Sequence, residues 1–471
     1  VIVEAGGPSM LRNFLASITQ NGISIIGTAL AIASLVLIVS LFVMHYLGFE
    51  GGPYLGILTF LILPAIFVLG LILIPIGALL YRRKLNRLHG DEHTPKLPVF
   101  DLNSPKTRGW MAVLLGATVL NIVIVAGATY KGVEVMESVE FCGQACHTVM
   151  QPEFTAYHRS PHSRVTCAEC HIGPGADWFV KSKLDGAWQL VAVAFDLYPT
   201  PIPTPLENLR PARETCEQCH WPEKFVGDKL TVRRHYDTDE ANTELTTALL
   251  LKVGGAEVGL SQGIHWHVDR GVEISYRSDE TREEIYEVHY KDASGETKIY
   301  TREDAPLEEE GGHWRTMDCV DCHNRPSHKY YTPEHEVDRA LRDGQIDRSL
   351  PFVKREAVRI IDAEFASHDE ARSEISKQLA AYYGENHPEV ATEKADAIET
   401  AGTVLGDLYS VNVFPEMKVW WNTYPEHIGH QQSEGCFRCH NRKLETAAGE
   451  KISRNCGLCH SVLAVEEEDP D

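Results

Sequence analysis

Twelve cysteines constrain this 471-residue chain more than any other feature. All fall into six close pairs, and a histidine follows the second cysteine of each. The pairs are Cys142/Cys146 with His147, Cys167/Cys170 with His171, and Cys216/Cys219 with His220. Then come Cys319/Cys322 with His323, Cys436/Cys439 with His440, and Cys456/Cys459 with His460. Five read Cys-x-x-Cys-His; the first, "CGQACH", is one residue longer. Cys-x-x-Cys-His is the attachment motif of c-type haem. The thiols add to the two vinyl groups, and the adjacent imidazole ligates the iron. Disulfides or zinc knuckles would also use the cysteines, but neither calls for a histidine after every pair. A loop longer by one residue still lets both sulfurs reach the vinyls. The pattern predicts six haems c, the first atypical.

Three apolar runs precede the first pair, at 23–47, 54–80 and 110–130. Each reaches the roughly 20 residues that span a bilayer. Two further spans follow the first, so it does not read as a cleaved signal. The loop between the second and third holds Arg82, Arg83, Lys84, Arg87, Lys96, Lys106 and Arg108, whereas 48–53 holds no basic residue. The positive-inside rule then puts that loop and the N-terminus in the cytoplasm. Everything after Tyr130 is delivered outside, where haem c is attached and bare thiols would oxidise. The expected location is the inner, cytoplasmic membrane, with the haem domain on the periplasmic side. A formal charge of −22 argues against nucleic acid and for basic partner surfaces.

The predicted fold class is mainly α with sparse secondary structure. A three-helix transmembrane anchor at 1–130 leads into an extracytoplasmic multihaem domain. Haems one to four occupy 131–333, with a small β insertion at 225–315 where "VEISY", "IYEVHY" and "ETKIY" alternate around "DASGE". A charged, cysteine-free stretch, 334–425, reads as a helical linker. Residues 426–471 form a two-haem module ending in the acidic, solvated "AVEEEDPD". Porphyrins supply much of the buried surface, so little apolar core is expected.

Each iron takes a sixth ligand, usually His or Met. Seven histidines sit where chance explains them poorly: His158 and His162 before the second motif, His265 and His267 in "GIHWHV", His328 after the fourth, and His427 and His430 before the fifth. These form the pool for five haems.

The stretch "FCGQACHTVMQPEFTAYHRSPHSRVTCAECHIGPG", a third motif, and later "TMDCVDCHNRPSH" resemble the NapC/NirT family of membrane-anchored multihaem cytochromes. The likeness covers 137–221 and 316–328; 433–460 looks like the extra haem pair of larger members. The resemblance implies a quinol dehydrogenase, with (mena)quinol from the membrane pool oxidised near the first haem. Electrons would pass to a periplasmic cytochrome or reductase subunit, with a membrane complex or homo-oligomer both open. The resemblance makes Met150 a candidate ligand of the first haem, at three residues after His147 rather than two. It also implies a quinol-site lysine and aspartate shortly after the second motif, carried here to Lys181, Lys183 and Asp185. These lie in an amphipathic segment suited to a membrane surface. Lys181 and Asp185 are spaced i, i+4 and share a helix face. The three-span anchor and the β insertion depart from small members. The alternatives are an electron-transfer subunit without its own quinol site, and a terminal reductase.

Overall fold

A computed structural model describes residues 21–46, 58, 62–89, 102–206, 209–221, 225, 227–254, 263–269, 271–307 and 311–470. The predicted loop 48–53 and Lys96 lie outside these. The chain divides into two units, Val1–Ala145 and Cys146–Asp471.

The first unit is helical, and its helices follow the apolar runs. Gly22–Tyr46 and Leu63–His89 each contain a stretch long and apolar enough to cross a membrane, Gly22–Leu41 and Leu63–Tyr81. They pack where side chains are absent: a Cβ on Gly70 would stand 2.7 Å from the Ala31 nitrogen and the Gly27 carbonyl oxygen. Small residues let two backbones approach where lipid gives no hydrophobic drive for helices to associate. Beside this crossing, Ser24 Oγ donates to the Ile74 carbonyl at 2.7 Å. A third helix, Pro105–Met136, covers the third run for 32 residues. Proline starts it at no cost, since a first-turn N–H has no helical acceptor. Val113, Leu115, Val119, Val123 and Val125 on it are exposed. Ser138 Oγ then accepts the Phe141 N–H at 3.1 Å and opens the short helix Val139–Gln144, which carries Cys142.

Secondary structure in the second unit is fuller than the expected sparse pattern. Its helices His147–His158, Cys167–His171, Ala176–Ala194 and Ala212–Cys216 come first. Eight strands then form two sheets. They are β1 (Asp228–Tyr236), β2 (Glu244–Lys252), β3 (Glu273–Ser278), β4 (Ile285–Lys291), β5 (Thr297–Arg302), β6 (His313–Thr316), β7 (Leu444–Glu445) and β8 (His460–Glu467). One sheet runs β1-β2-β8, the other β6-β3-β4-β5-β7. The alternating segments named from sequence are β3, β4 and β5, and Asp292–Glu296 makes the predicted turn, closed by the Asp292 N–H to the Glu296 carbonyl. The C-terminal stretch adds one strand to each sheet, with Leu249 opposite Val462 and Thr301 opposite Glu445.

The region 334–425 carries a core of its own. Helices Pro333–Arg342, Val353–Ile361, His368–Asn386 and Ala395–Ser410 bury Val337, Ile360, Leu379, Leu405 and Tyr409 almost completely. Burying one such side chain stabilises by about 1.5–3 kcal/mol. The expectation of little apolar core therefore fails here: apolar residues recur at one-turn spacing and find each other without help from porphyrin. Trp421 closes the cluster, its indole N–H donating to the Ile361 carbonyl at 2.9 Å.

Candidate metal centres

Five motif histidines each face a second histidine. Ring centroids lie 6.1 Å apart for His171 and His328, and 6.0 Å for His220 and His162. They lie 6.4 Å apart for His323 and His265, 6.0 Å for His440 and His267, and 6.4 Å for His460 and His430. The distance stays within 6.0–6.4 Å while the interplanar angle runs from 6° to 80°, whereas in direct ring contact the distance changes with the angle. A metal between two imidazoles accounts for the spacing: with nitrogen at roughly 2.0 Å from the metal and the centroid roughly 1.1 Å beyond, opposed rings stand about 6.2 Å apart.

The hydrogen bonds agree with that reading. Nδ1 of His162 meets the Pro326 carbonyl at 3.1 Å, that of His265 the Val253 carbonyl at 2.6 Å, and that of His267 the Ile264 carbonyl at 2.7 Å. Nδ1 of His328 meets the Glu153 carbonyl at 3.1 Å, and that of His440 meets Ser453 at 2.6 Å. A carbonyl can only accept, so the proton sits on Nδ1 and Nε2 keeps its lone pair. Burial pulls the pKa of His171, His267 and His323 down, and neighbouring imidazoles add to the effect. A neutral ring is the form that ligates.

None of the twelve cysteines is in a disulfide, and nine of them are half-buried. Cys170, Cys219 and Cys456 are exposed. A thioether forms on a sulfur that a vinyl group can approach, so half-buried and exposed thiols alike are compatible with attachment. Arg325 Nη2 is buried without a partner among the described residues, a donor suited to a propionate. Donor set, tautomers and free thiols fit haem c.

Local structure explains how the rings are aimed. His265 and His267 sit on the 3-10 turn Ile264–Val268, with three residues per turn. Positions two apart therefore point in different directions, one toward His323 and one toward His440. Of the seven pooled histidines, His158 and His427 face none of the five motif-histidine rings above, among the described residues. His158 lies edge-on to Phe154 and Tyr157, at 4.5 and 5.1 Å. His427 is buried, with Nε2 2.7 Å from Glu283 Oε1. Met150 is one turn beyond His147 on His147–His158, and half-buried. The unit boundary falls inside the first motif, between Ala145 and Cys146.

Lys181, Lys183 and Asp185 all lie on the helix Ala176–Ala194. The expected Lys181–Asp185 ion pair is not among the described salt bridges. The Lys181 ammonium instead stands over the Trp178 ring at 4.9 Å, and that of Lys183 over Phe179 at 4.8 Å. On an exposed helix an i, i+4 ion pair gives only about 0.2–0.5 kcal/mol, and an aromatic face competes with it. Val180, Leu184, Trp188 and Val191 of this helix are exposed. Sequence reading missed Glu153 and Arg325, which join at 3.2 Å beside His328. They are 172 positions apart, so no local pattern links them.

Residues 104–201 match the model of the NapC/NirT cytochrome c family, N-terminal region. The chain is 44% identical over 453 residues to cytochrome c-type protein ImcH of Geobacter sulfurreducens, covering 95% of this chain and 89% of the relative. No solved structure matches it. With the motifs, the paired histidines and this full-length likeness together, the chain belongs to the NapC/NirT family of multihaem cytochromes c.

Proposed function

We propose that this protein is a hexahaem quinol dehydrogenase, which takes electrons from (mena)quinol and hands them to a periplasmic acceptor. The observation that carries the electron-transfer part is the set of five histidine pairs at one metal-bridging distance. The sixth attachment site is Cys142, Cys146 and His147, with Met150 a candidate ligand. When bound, haem supplies reversible one-electron exchange at iron. The chain's own residues do the rest. The Nδ1 bonds to carbonyls hold His162, His265, His267 and His328 with the other ring nitrogen aimed inward, and stacking on Phe437 holds His430. The cysteines fix each macrocycle covalently.

The exposed apolar helix Pro105–Met136 supports a third span, which would leave the N-terminus cytoplasmic and the sites after Cys142 periplasmic. Quinol oxidation releases two electrons and two protons, so a base must stand at the quinol. Asp185 is assigned that role, on a helix whose exposed apolar residues suit the membrane surface. Lys181 and Lys183 are assigned to the ring oxygens.

The test is rapid mixing of the detergent-purified chain with a menaquinol analogue. Haem reduction by the analogue, matching that reached with dithionite, is the expected result. Reduction by dithionite alone sinks the quinol assignment and leaves an electron-transfer subunit served by another quinol-oxidising chain.

A further inference from the structure

We infer that the five histidine-paired sites stand in a single unbranched file in the order of their motifs, from the second to the sixth, with Cys456–His460 at the far end where electrons leave. This rests on reading the pairs as axial ligands.

Contacts between the motif segments carry the inference. The helix of the second motif, Cys167–His171, packs on Ala212–Cys216, which leads into the third. Ala212–Cys216 packs in turn on Cys319–Asp321 of the fourth, and the Ala212 N–H donates to Asp318 Oδ2 at 3.3 Å. The fourth and fifth motifs are tied twice. Arg438, inside the fifth, donates to the carbonyl of Asp321, inside the fourth. The turn Ile264–Val268 also supplies the distal rings of both, two residues apart, with Trp266 stacked on His267 at 4.5 Å. The fifth meets the sixth through Phe437. His430, which faces His460, stacks on that ring at 4.3 Å, and Arg454 stands over it at 4.4 Å. His440 Nδ1 meets the carbonyl of Ser453, just before the sixth motif. Each of these contacts joins consecutive motifs; His328, just past the fourth motif, crosses to face the second as a ligand ring rather than as a motif contact. Electrons move one at a time along such a file; each quinol oxidised would reduce two one-electron acceptors at its end.

The test needs no quinol. Replacing a distal histidine by methionine keeps a ligand but raises that site's potential, so it fills first. Its neighbours then titrate beside an added electron, and their potentials fall. The interaction weakens with distance and screening, so adjacent sites take the largest shifts. Potentiometric titration of the full chain, followed by electron paramagnetic resonance, reads every site. The file requires that His430→Met lower one other potential, since the sixth site ends the series. It requires that His265→Met lower two. Two shifted neighbours for His430→Met, or one for His265→Met, overturns the order. If His430→Met leaves all low-spin signals unchanged, the ligand pairing falls and takes the file with it; optical spectra and haem content of the variants report folding. His162→Met, at the third site, must also shift two, which keeps the order falsifiable should one variant fail to assemble.

Discussion

At the scale of single residues, ring orientation separates sites that share one ligand set. His265 and His323 are nearly coplanar, at 6°, whereas His267 and His440 stand at 80°. Parallel imidazole planes split the iron π orbitals and crossed planes leave them nearly degenerate. The oxidised protein should therefore show both a well-resolved rhombic low-spin signal and strongly axial ones with a very large principal g value. A spectrum of rhombic signals alone contradicts the ring geometry. His430 and His427 make a second contrast, three positions apart. His430→Ala should open an iron and produce a new high-spin band. His427→Ala should leave the spectrum low-spin and lower stability by about 1–3 kcal/mol, through the lost buried contact to Glu283. Asp185→Asn should slow reduction by a menaquinol analogue by about 10²–10⁴ with dithionite reduction unchanged. If both rates hold, Asp185 has no part in quinol chemistry. If both fall, its role is structural.

At the scale of elements, the helices after Thr332 stabilise the domain independently of the haem sites. Leu379, fully buried on His368–Asn386, touches no motif residue's helix or turn in the core cluster it belongs to. Leu379→Ala should cost about 2–5 kcal/mol in chemical denaturation. Haem absorbance and potentials should stay as they are, since the distal rings are held elsewhere. The turn Ile264–Val268 is the opposite case. Its Trp266 packs on the sheet cluster, and its handedness and length aim two rings. Inserting one glycine between Trp266 and His267 leaves Trp266 before the insertion and should convert one site to high-spin. An unchanged spectrum would show that His267 is not held by this turn.

At the scale of the whole molecule, the chain combines apolar helices suited to a bilayer with a haem-bearing unit. Pyridine haemochrome analysis should return about six haems per chain, counted from the six attachment motifs. A value near five would mean that Cys142, Cys146 and His147 attach none. The strands β7 and β8, closing the two sheets from the C-terminal end, bring the last two motifs against residues some 140–220 positions earlier. Truncation before Leu444 should therefore loosen the distal turn at His267, not merely remove one haem.

The attachment motifs were legible in the sequence because they are local. Two thiols and an imidazole must meet one macrocycle, so they lie within five or six consecutive residues. The apolar runs were legible for a similar reason to the motifs: a bilayer of fixed thickness demands a run of fixed length, and the helices 22–46 and 63–89 follow from it. The strands β3 to β5 came from alternation and one glycine turn. The distal ligands were legible only as a pool of seven, because a sixth ligand need share nothing local with its iron. Which five face a motif histidine, and which motif each serves, is decided by how distant segments pack: His328 meets a motif 157 positions earlier, and His267 one 173 later. Packing also set Lys181 over Trp178 rather than against Asp185, because the competing attractions differ by less than thermal energy and neighbouring side chains choose between them.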